Sequence, residues 1–206
     1  MMEKIHFAAM SGDLTEIFHI LKTTKEPGKI LRRTIKGGVT PMHLISKHGH
    51  REGLKMFLEN QGDPLIEDSK GRLPIHYAAR YGHCDIVNLL LDTSPKSKLI
   101  ERKDKHFGQT PLHYAARYCN LKLAKMLYRA GAEPKQLNEL GMNALGTACM
   151  FNCAEPRRKT HMKFCRWLID HGADVNNVDK GGHTALELAS SWGNMPLVSM
   201  LMQNMA

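Results

Sequence analysis

One stretch of this chain is written twice. PIHYAARYGH (Pro74–His83) and PLHYAARYCN (Pro111–Asn120) share seven identical residues out of ten at a separation of 37. The register returns at Thr40 (TPMHLISKHGH), Leu73, Thr110, Asn143 (NALGTACMF) and Thr184 (TALELASSWGN), with a weaker copy from Ile5 (IHFAAMSGDL), so the unit is 33 residues with additions in some copies. Self-similarity at that period restricts the chain to architectures in which identical layers stack on one another. A single short element cannot bury its apolar face alone; stacked copies bury it against their neighbours.

Each copy reads as helix, turn, helix, loop. In the copy at Thr110, Thr110 precedes Pro111, whose missing N–H costs nothing in a first helical turn. LHYAARY is short and alanine-rich, and the pairs Ala78–Ala79 and Ala115–Ala116 admit a neighbouring backbone, while His76 and His113 are expected to hydrogen-bond within their own layers. The second segment, LKLAKMLYRAG, sets Leu121, Leu123, Ala124, Met126 and Leu127 mainly on one face, with Lys122, Lys125 and Arg129 opposite. Gly131 follows as a left-handed stop and AEPKQLNELG supplies turn chemistry. The pattern predicts an all-α solenoid of about six stacked helix–turn–helix units in one domain over 1–206, with units near 1–37, 38–70, 71–107, 108–140, 141–181 and 182–206.

These motifs resemble the ankyrin-repeat family. The likeness rests on Thr40-Pro41-Met42-His43, Pro74-Ile75-His76-Tyr77-Ala78-Ala79, Thr110-Pro111-Leu112-His113-Tyr114-Ala115-Ala116 and Gly172-Ala173-Asp174-Val175-Asn176, in register over almost the whole chain. The resemblance implies antiparallel helix pairs joined by hairpin-like loops that project to one side. Three departures stand out: Gly146 and Glu187 occupy the motif histidine position, and Gln61-Gly62 replaces the usual Gly-Ala.

Composition narrows the setting. No run approaches the ~18 apolar residues of a membrane-spanning helix, and the N-terminus shows no secretory pattern. Five scattered cysteines point to free thiols and a reducing compartment, cytoplasmic or nuclear. The formal charge of +9 favours acidic partners. Additions in KTTKEPGKILRRTIKGG, DTSPKSKLIERKDKHFG and FNCAEPRRKTHMK are all basic and are expected in surface loops.

Reading down the register, the residue before the glycine that usually closes the first helix is His48, Tyr81, Tyr118, Phe151 and Trp192; the position before that is Lys47, Arg80, Arg117, Met150 and Ser191. Stacked layers turn these positions into an aromatic column beside a cationic one. Aromatic and arginine side chains concentrate binding energy, although they also cover a solenoid's inner wall by stacking on each other. The expected partner-binding set is Lys47, Arg80, Tyr81, Arg117, Tyr118, Phe151 and Trp192, with Lys103 and Lys105 at a loop tip. Asn176, in LIDHGADVNN, resembles the position that an oxygen-dependent asparaginyl hydroxylase modifies in many ankyrin repeats. The plain alternative is an asparagine that hydrogen-bonds its own loop.

Cys149, Cys153, His161 and Cys165 offer a secondary metal alternative, C-x3-C-x7-H-x3-C, with ligand types that suit zinc. Cys149 and Cys165 also fall where the repeat demands small core residues, which explains them as buried thiols without metal. No cofactor is expected. No phosphate loop, nucleophile elbow or H-E-x-x-H appears, which argues against an enzyme. The charge is unaccompanied by a nucleic-acid recognition motif, which argues against nucleic acid. The sequence therefore points to a non-catalytic scaffold or adaptor that binds a protein, acidic or with an extended segment, on its concave face and loop tips. The alternatives are an inhibitory ankyrin protein that masks a transcription factor, and a polyanion binder acting through the basic loops. The methionine-rich closing segment PLVSMLMQNMA lacks the polar outer face of a terminal repeat, as expected of a fragment or of a helix that meets another subunit or partner.

Overall fold

A computed structural model of the chain describes residues 3–150 and 158–205. The chain divides into two compact halves, Met1–His106 and Phe107–Ala206. The N-terminal half contains α1 (Lys4–Ser11), α2 (Leu14–Thr23), α3 (Pro27–Leu31), α4 (Pro41–His48), α5 (Arg51–Glu59), α6 (Pro74–Tyr81), α7 (Cys84–Thr93) and α8 (Lys96–Ile100). The C-terminal half contains α9 (Pro111–Arg117), α10 (Leu121–Arg129), α11 (Ala144–Cys149), α12 (Arg158–Asp170), α13 (Ala185–Ser191) and α14 (Met195–Met202). In the first half α1, α4 and α6 pack in succession as one layer and α2, α5 and α7 as the other; in the second, α9, α11 and α13 face α10, α12 and α14. Each half adopts the all-α, repeat-by-repeat stacking expected from the register.

Small residues permit the close stacking. Ala8, Ala9, Ala78, Ala79, Ala115 and Ala116 are buried, and Leu54, Phe57, Ile86, Leu90, Leu123, Leu127, Phe164, Leu168 and Leu197 fill the space behind them. In α4 the alanine pair is replaced by Ile45-Ser46, and the extra volume is met by Gly53 of α5. A Cβ at Gly53 would lie 2.5 Å from Ile45 Cδ1, so the two positions have exchanged bulk.

The motif histidine bridges layers. The Thr40 N–H donates to His43 Nδ1 (3.2 Å) while His43 Nε2–H donates to the Arg72 carbonyl (2.9 Å). His76 repeats this with the Leu73 N–H (2.9 Å) and the Arg102 carbonyl (2.8 Å), and His113 with the Thr110 N–H (3.3 Å) and the Met142 carbonyl (3.1 Å). Nδ1 bonds three residues back in every case; Nε2 reaches 26 to 29 residues along the chain, which for His76 stays within the expected unit 71–107 and for His43 and His113 ends just beyond their own units. A second rung uses the histidine after the helix-ending glycine. His50 Nε2–H donates to the Met10 carbonyl (3.0 Å) and His83 Nε2–H to the Lys47 carbonyl (2.9 Å). Their rings lie so close over Gly12 and Gly49 that a Cβ there would sit 2.5 Å away.

Where the motif histidine is missing, other groups replace it. Asn143 Oδ1 accepts from the Gly146 N–H (2.9 Å) and its Nδ2–H donates to the Asp174 carbonyl (2.8 Å), so one amide both caps α11 and crosses to the next loop. Glu187 keeps only the cap, accepting from the Thr184 N–H (2.7 Å) and hydroxyl (3.0 Å).

The hairpin loops share one turn. The Oδ1 of Asp68, Asn138 and Asp179 each accepts main-chain N–H groups two and four residues on. Successive tips are tied by single main-chain bonds, Ser69 N–H to Gly37 O (2.9 Å) and Lys105 N–H to Lys70 O (2.7 Å) in the first half, and Glu139 N–H to Phe107 O (2.8 Å) and Lys180 N–H to Leu140 O (2.9 Å) in the second. The first two basic additions are not plain surface loops. They form α3 and α8, which share a Lys-apolar-apolar pattern and bury Leu31, Leu99 and Ile100, because the carbonyls of Arg33 and Arg102 beyond them receive His6 and His76. Of the third addition, residues 151–157 lie outside the described residues, and Arg158 onward opens α12.

A bridging imidazole with an accepting Nδ1 and a donating Nε2 must be neutral. Burial pushes His76 down from 6.5 to about 4, and burial lowers His43 as well. Between pH 6.5 and 4 the unfolded chain binds a proton that native His76 refuses, so its contribution is full above pH 6.5 and is lost as pH falls toward 4. We expect His76 alone to account for a stability loss of about 3 kcal/mol across that window. Urea unfolding at stepped pH checks this, with His76→Gln giving a shallower fall; an equal slope in both proteins would refute it.

Candidate functional site

The expected columns form partly. In the N-terminal half Lys47 ends the run of α4 before His48, and Arg80 and Tyr81 close α6. Lys47 Nζ and Arg80 Cζ each lie 5.7 Å from the centre of the Tyr81 ring. The ring is still 47% exposed. Two cations therefore lie close to one half-exposed aromatic ring, an arrangement suited to carboxylates beside an apolar or aromatic group. His48 is exposed and stacks on His50 at 6.2 Å rather than extending the aromatic row.

In the C-terminal half Arg117 is half-buried at the end of α9, and Tyr118 follows it, exposed. Cys119 takes the left-handed conformation (φ 52°) where Gly12, Gly49, Gly82 and Gly193 stand in other copies. Trp192 closes α13 with its indole N–H donated to the Met150 carbonyl (3.0 Å), which fixes the ring yet leaves it 49% exposed. Phe151 lies outside the described residues.

The loop after α8 presents Lys103 and Lys105, both exposed. Lys105 is engaged: with Arg102 it pairs with Glu67, and the two cations hold that carboxyl below the usual carboxylate range. Glu67 escaped the sequence reading, although its place immediately before the turn-forming Asp68 marks it as a tip residue. Beside this pair a cleft of about 500 Å³ is lined by Leu65, Leu73, Lys98, Glu101 and Arg102.

The most perturbed cluster is structural. Asp68 Oδ2 accepts from the Tyr77 hydroxyl (2.8 Å) and Arg72 Nε–H (2.7 Å), and the Arg72 guanidinium stacks 4.8 Å from the Tyr77 ring. Burial and then Asp68 push the Tyr77 hydroxyl upward. Burial would raise Asp68, but the hydrogen bonds from Arg72, Tyr77 and the loop backbone outweigh it and keep the carboxyl below its ordinary value. Every strong donor here is turned inward onto Asp68, whose side chain is fully buried.

Asn176 is exposed in the loop after α12, where its N–H donates to Asp174 Oδ1 (2.9 Å). Cys149 and Cys165 are buried and outside any disulfide, and His161, also buried, donates from Nε2 to the Ala148 carbonyl (3.0 Å) while its Nδ1 has no partner. Cys153 lies outside the described residues. Among the described residues no three His, Cys, Asp or Glu side chains are placed to hold a metal ion. The outer face of α14 exposes Met195 and Met202 around a shallow groove of about 340 Å³. No described helix is long and apolar enough to cross a membrane.

The family model described as ankyrin repeats (3 copies) matches residues 5–99 and again 112–206. The chain belongs to the ankyrin-repeat family. Among curated proteins this ankyrin-repeat chain is 30% identical over 173 residues to the ankyrin repeat and KH domain-containing protein mask-1 of Caenorhabditis elegans, covering 81% of this chain and 6% of that protein. It is 30% identical over 92 residues to the human transient receptor potential cation channel subfamily A member 1 (45% and 8%), and 32% identical over 89 residues to the E3 ubiquitin-protein ligase XBAT33 of Arabidopsis thaliana (43% and 17%). The chain thus spans a small part of the length of these relatives. Solved structures share the fold over nearly the whole chain, and two of them illustrate the likeness. One is an ankyrin repeat domain from Acinetobacter baumannii, with TM-score 0.77, 23% identity, and 97% and 96% of the two chains covered. The other is a chain from the complex of a Bdellovibrio bacteriovorus predatory endopeptidase with an immunity protein, with TM-score 0.81, 21% identity, and 98% of each chain covered. Ankyrin repeats generally mediate protein–protein interaction and are ordinarily non-catalytic.

Two tyrosines of α6 separate structure from recognition. Tyr81→Ala should change unfolding free energy by no more than about 1 kcal/mol, since its ring is half open. Asp68→Ala should cost about 3 kcal/mol by leaving Arg72 and Tyr77 without their buried acceptor. Urea denaturation of the two variants checks the contrast; equal losses would remove it.

Proposed function

We propose that this chain is a non-catalytic scaffold or adaptor whose N-terminal half holds an extended acidic segment of a protein partner against Lys47, Arg80 and Tyr81. The observation that carries the reading is the Tyr81 ring, flanked by two cations yet half exposed. Lys103, exposed beside the Glu67-bound Lys105, extends the cationic contact to the loop tips. Arg117, Tyr118 and Trp192 supply the equivalent aromatic and cationic contacts in the C-terminal half, where the hydrogen bond to Met150 lowers the ordering cost of Trp192 on binding. The four described cysteines stand outside any disulfide, which suits a cytoplasmic or nuclear setting.

The test is fluorescence anisotropy with a Glu- and Asp-rich peptide of about a dozen residues containing a phenylalanine. Arg80→Glu and Tyr81→Ala should each weaken binding roughly tenfold or more. Unchanged affinity in both variants would overturn the groove. Binding that ignores both variants, falls steeply with salt and is matched by a random oligonucleotide would replace it with polyanion binding through the basic loops.

A further inference from the structure

Exposed apolar side chains in the C-terminal half are grouped. Phe107, Leu137, Leu140 and Val178 are 37, 42, 36 and 53% exposed, and all four lie in the hairpin loops rather than on helices. Register accounts for the grouping. Leu137 and Val178 stand immediately before the turn-forming Asn138 and Asp179, and Phe107 and Leu140 immediately before the left-handed glycines Gly108 and Gly141. The bonds from Glu139 N–H to Phe107 O and from Lys180 N–H to Leu140 O hold successive tips edge to edge. Equivalent positions in adjoining layers thereby fall into two short apolar rows on one set of loops.

The fold does not demand apolar residues there. In the N-terminal half the positions before Asp68 and Asp104 are Glu67 and Lys103, and the position before Gly71 is Lys70. The Asp68 turn closes with the same two hydrogen bonds as those at Asn138 and Asp179. Four large apolar groups facing water at sites that accept charge without loss of the turn mark an interaction surface. The charge around Leu137, Leu140 and Val178 also differs. Residues 133–141 and 174–182 carry Glu133, Glu139, Asp174 and Asp179 against only Lys135 and Lys180, a local acidic excess in a chain of net charge +9.

From this geometry we infer that the hairpin loops of the C-terminal half dock a partner segment whose apolar side chains are flanked by lysine or arginine. The surface shares no residue with the Tyr81 groove and prefers the opposite charge, so it stands whether or not that groove binds an acidic segment. Apolar contacts to Leu137, Leu140 and Val178 supply affinity, and the carboxylates select the flanks and disfavour acidic competitors.

The experiment uses the whole chain and three labelled peptides of about a dozen residues: leucines spaced by serines with lysine flanks, the same with glutamate flanks, and the same with every leucine replaced by serine. The lysine-flanked leucine peptide should bind at least about tenfold tighter than the other two. The double variant Leu137→Ser/Val178→Ser should lose roughly tenfold in affinity for it with an unchanged helical circular dichroism spectrum, and Arg80→Glu should leave that affinity alone. Glu139→Lys, a change on an exposed tip, should weaken the lysine-flanked peptide and strengthen the glutamate-flanked one, and it tests the idea even if the double variant misfolds. Equal binding of lysine- and glutamate-flanked peptides, no binding of any, or indifference to both variants would overturn the inference. So would sedimentation showing a dimer of the wild-type chain that the double variant abolishes, since the patch would then belong to a second copy.

Discussion

An imidazole placed between two layers has to serve both at once. His43, His76 and His113 each accept a hydrogen bond from the main chain that starts their own helix and donate one to a carbonyl in a loop beyond. The three rings are buried, and an unmet main-chain donor or acceptor beside them costs about 1–3 kcal/mol. The ring therefore fixes the start of one helix and the path of a distant loop together, and no residue with a single polar atom can replace it. Asn143 succeeds because an amide also carries a donor and an acceptor; Glu187 has acceptors only and keeps the cap alone. The carboxylate turns of Asp68 and Asp179 and the amide turn of Asn138 then deliver each loop to the place where that bridge, or its substitute, can reach it.

This division of labour leaves the loop tips and the ends of the inner helices chemically unconstrained. Residues that hold layers together are small, buried or hydrogen-bonded from both sides. The turns close on their own main chain, and successive tips meet through main-chain bonds, supplemented in the first half by the pairing of Glu67 with Arg102 and Lys105, so side chains there can vary from Glu67 and Lys103 in one half to Leu137 and Val178 in the other without disturbing the turn. The ends of α4 and α6 likewise carry Lys47, Arg80 and Tyr81 outward, while Tyr77, one turn earlier in α6, is drawn inward by Asp68. Recognition surfaces on such a stack arise where the packing has no use for the side chain.

Much of this could be read directly. Period, capping threonines, proline at the first helical turn and paired alanines are local signals, and they give the helix pairs and their stacking. The additions after α2 and α7 misled because basic residues dominate their composition, yet Leu31, Leu99 and Ile100 are enough to fold them back as short helices. Ile45 reads as a break in the alanine pattern until Gly53 is seen opposite it. Lys105 reads as a free tip cation, but its partner Glu67 sits in another loop. In the candidate site, the residue types came from the register; Arg80 stands next to Tyr81 in the chain, and the approach of Lys47 to the same ring came from the packing of α4 beside α6.

The amino-acid sequence by itself determined the repeating unit, the all-α class and the residues offered at each repeated position, because these depend on periodicity and on hydrogen bonds within a few residues. Tertiary structure alone decided which offered groups stay open: Tyr81 and Val178 face water while Tyr77 and His161 do not. Exposure and charge pairing are set by atoms supplied from other layers, and that information is absent from any single repeat.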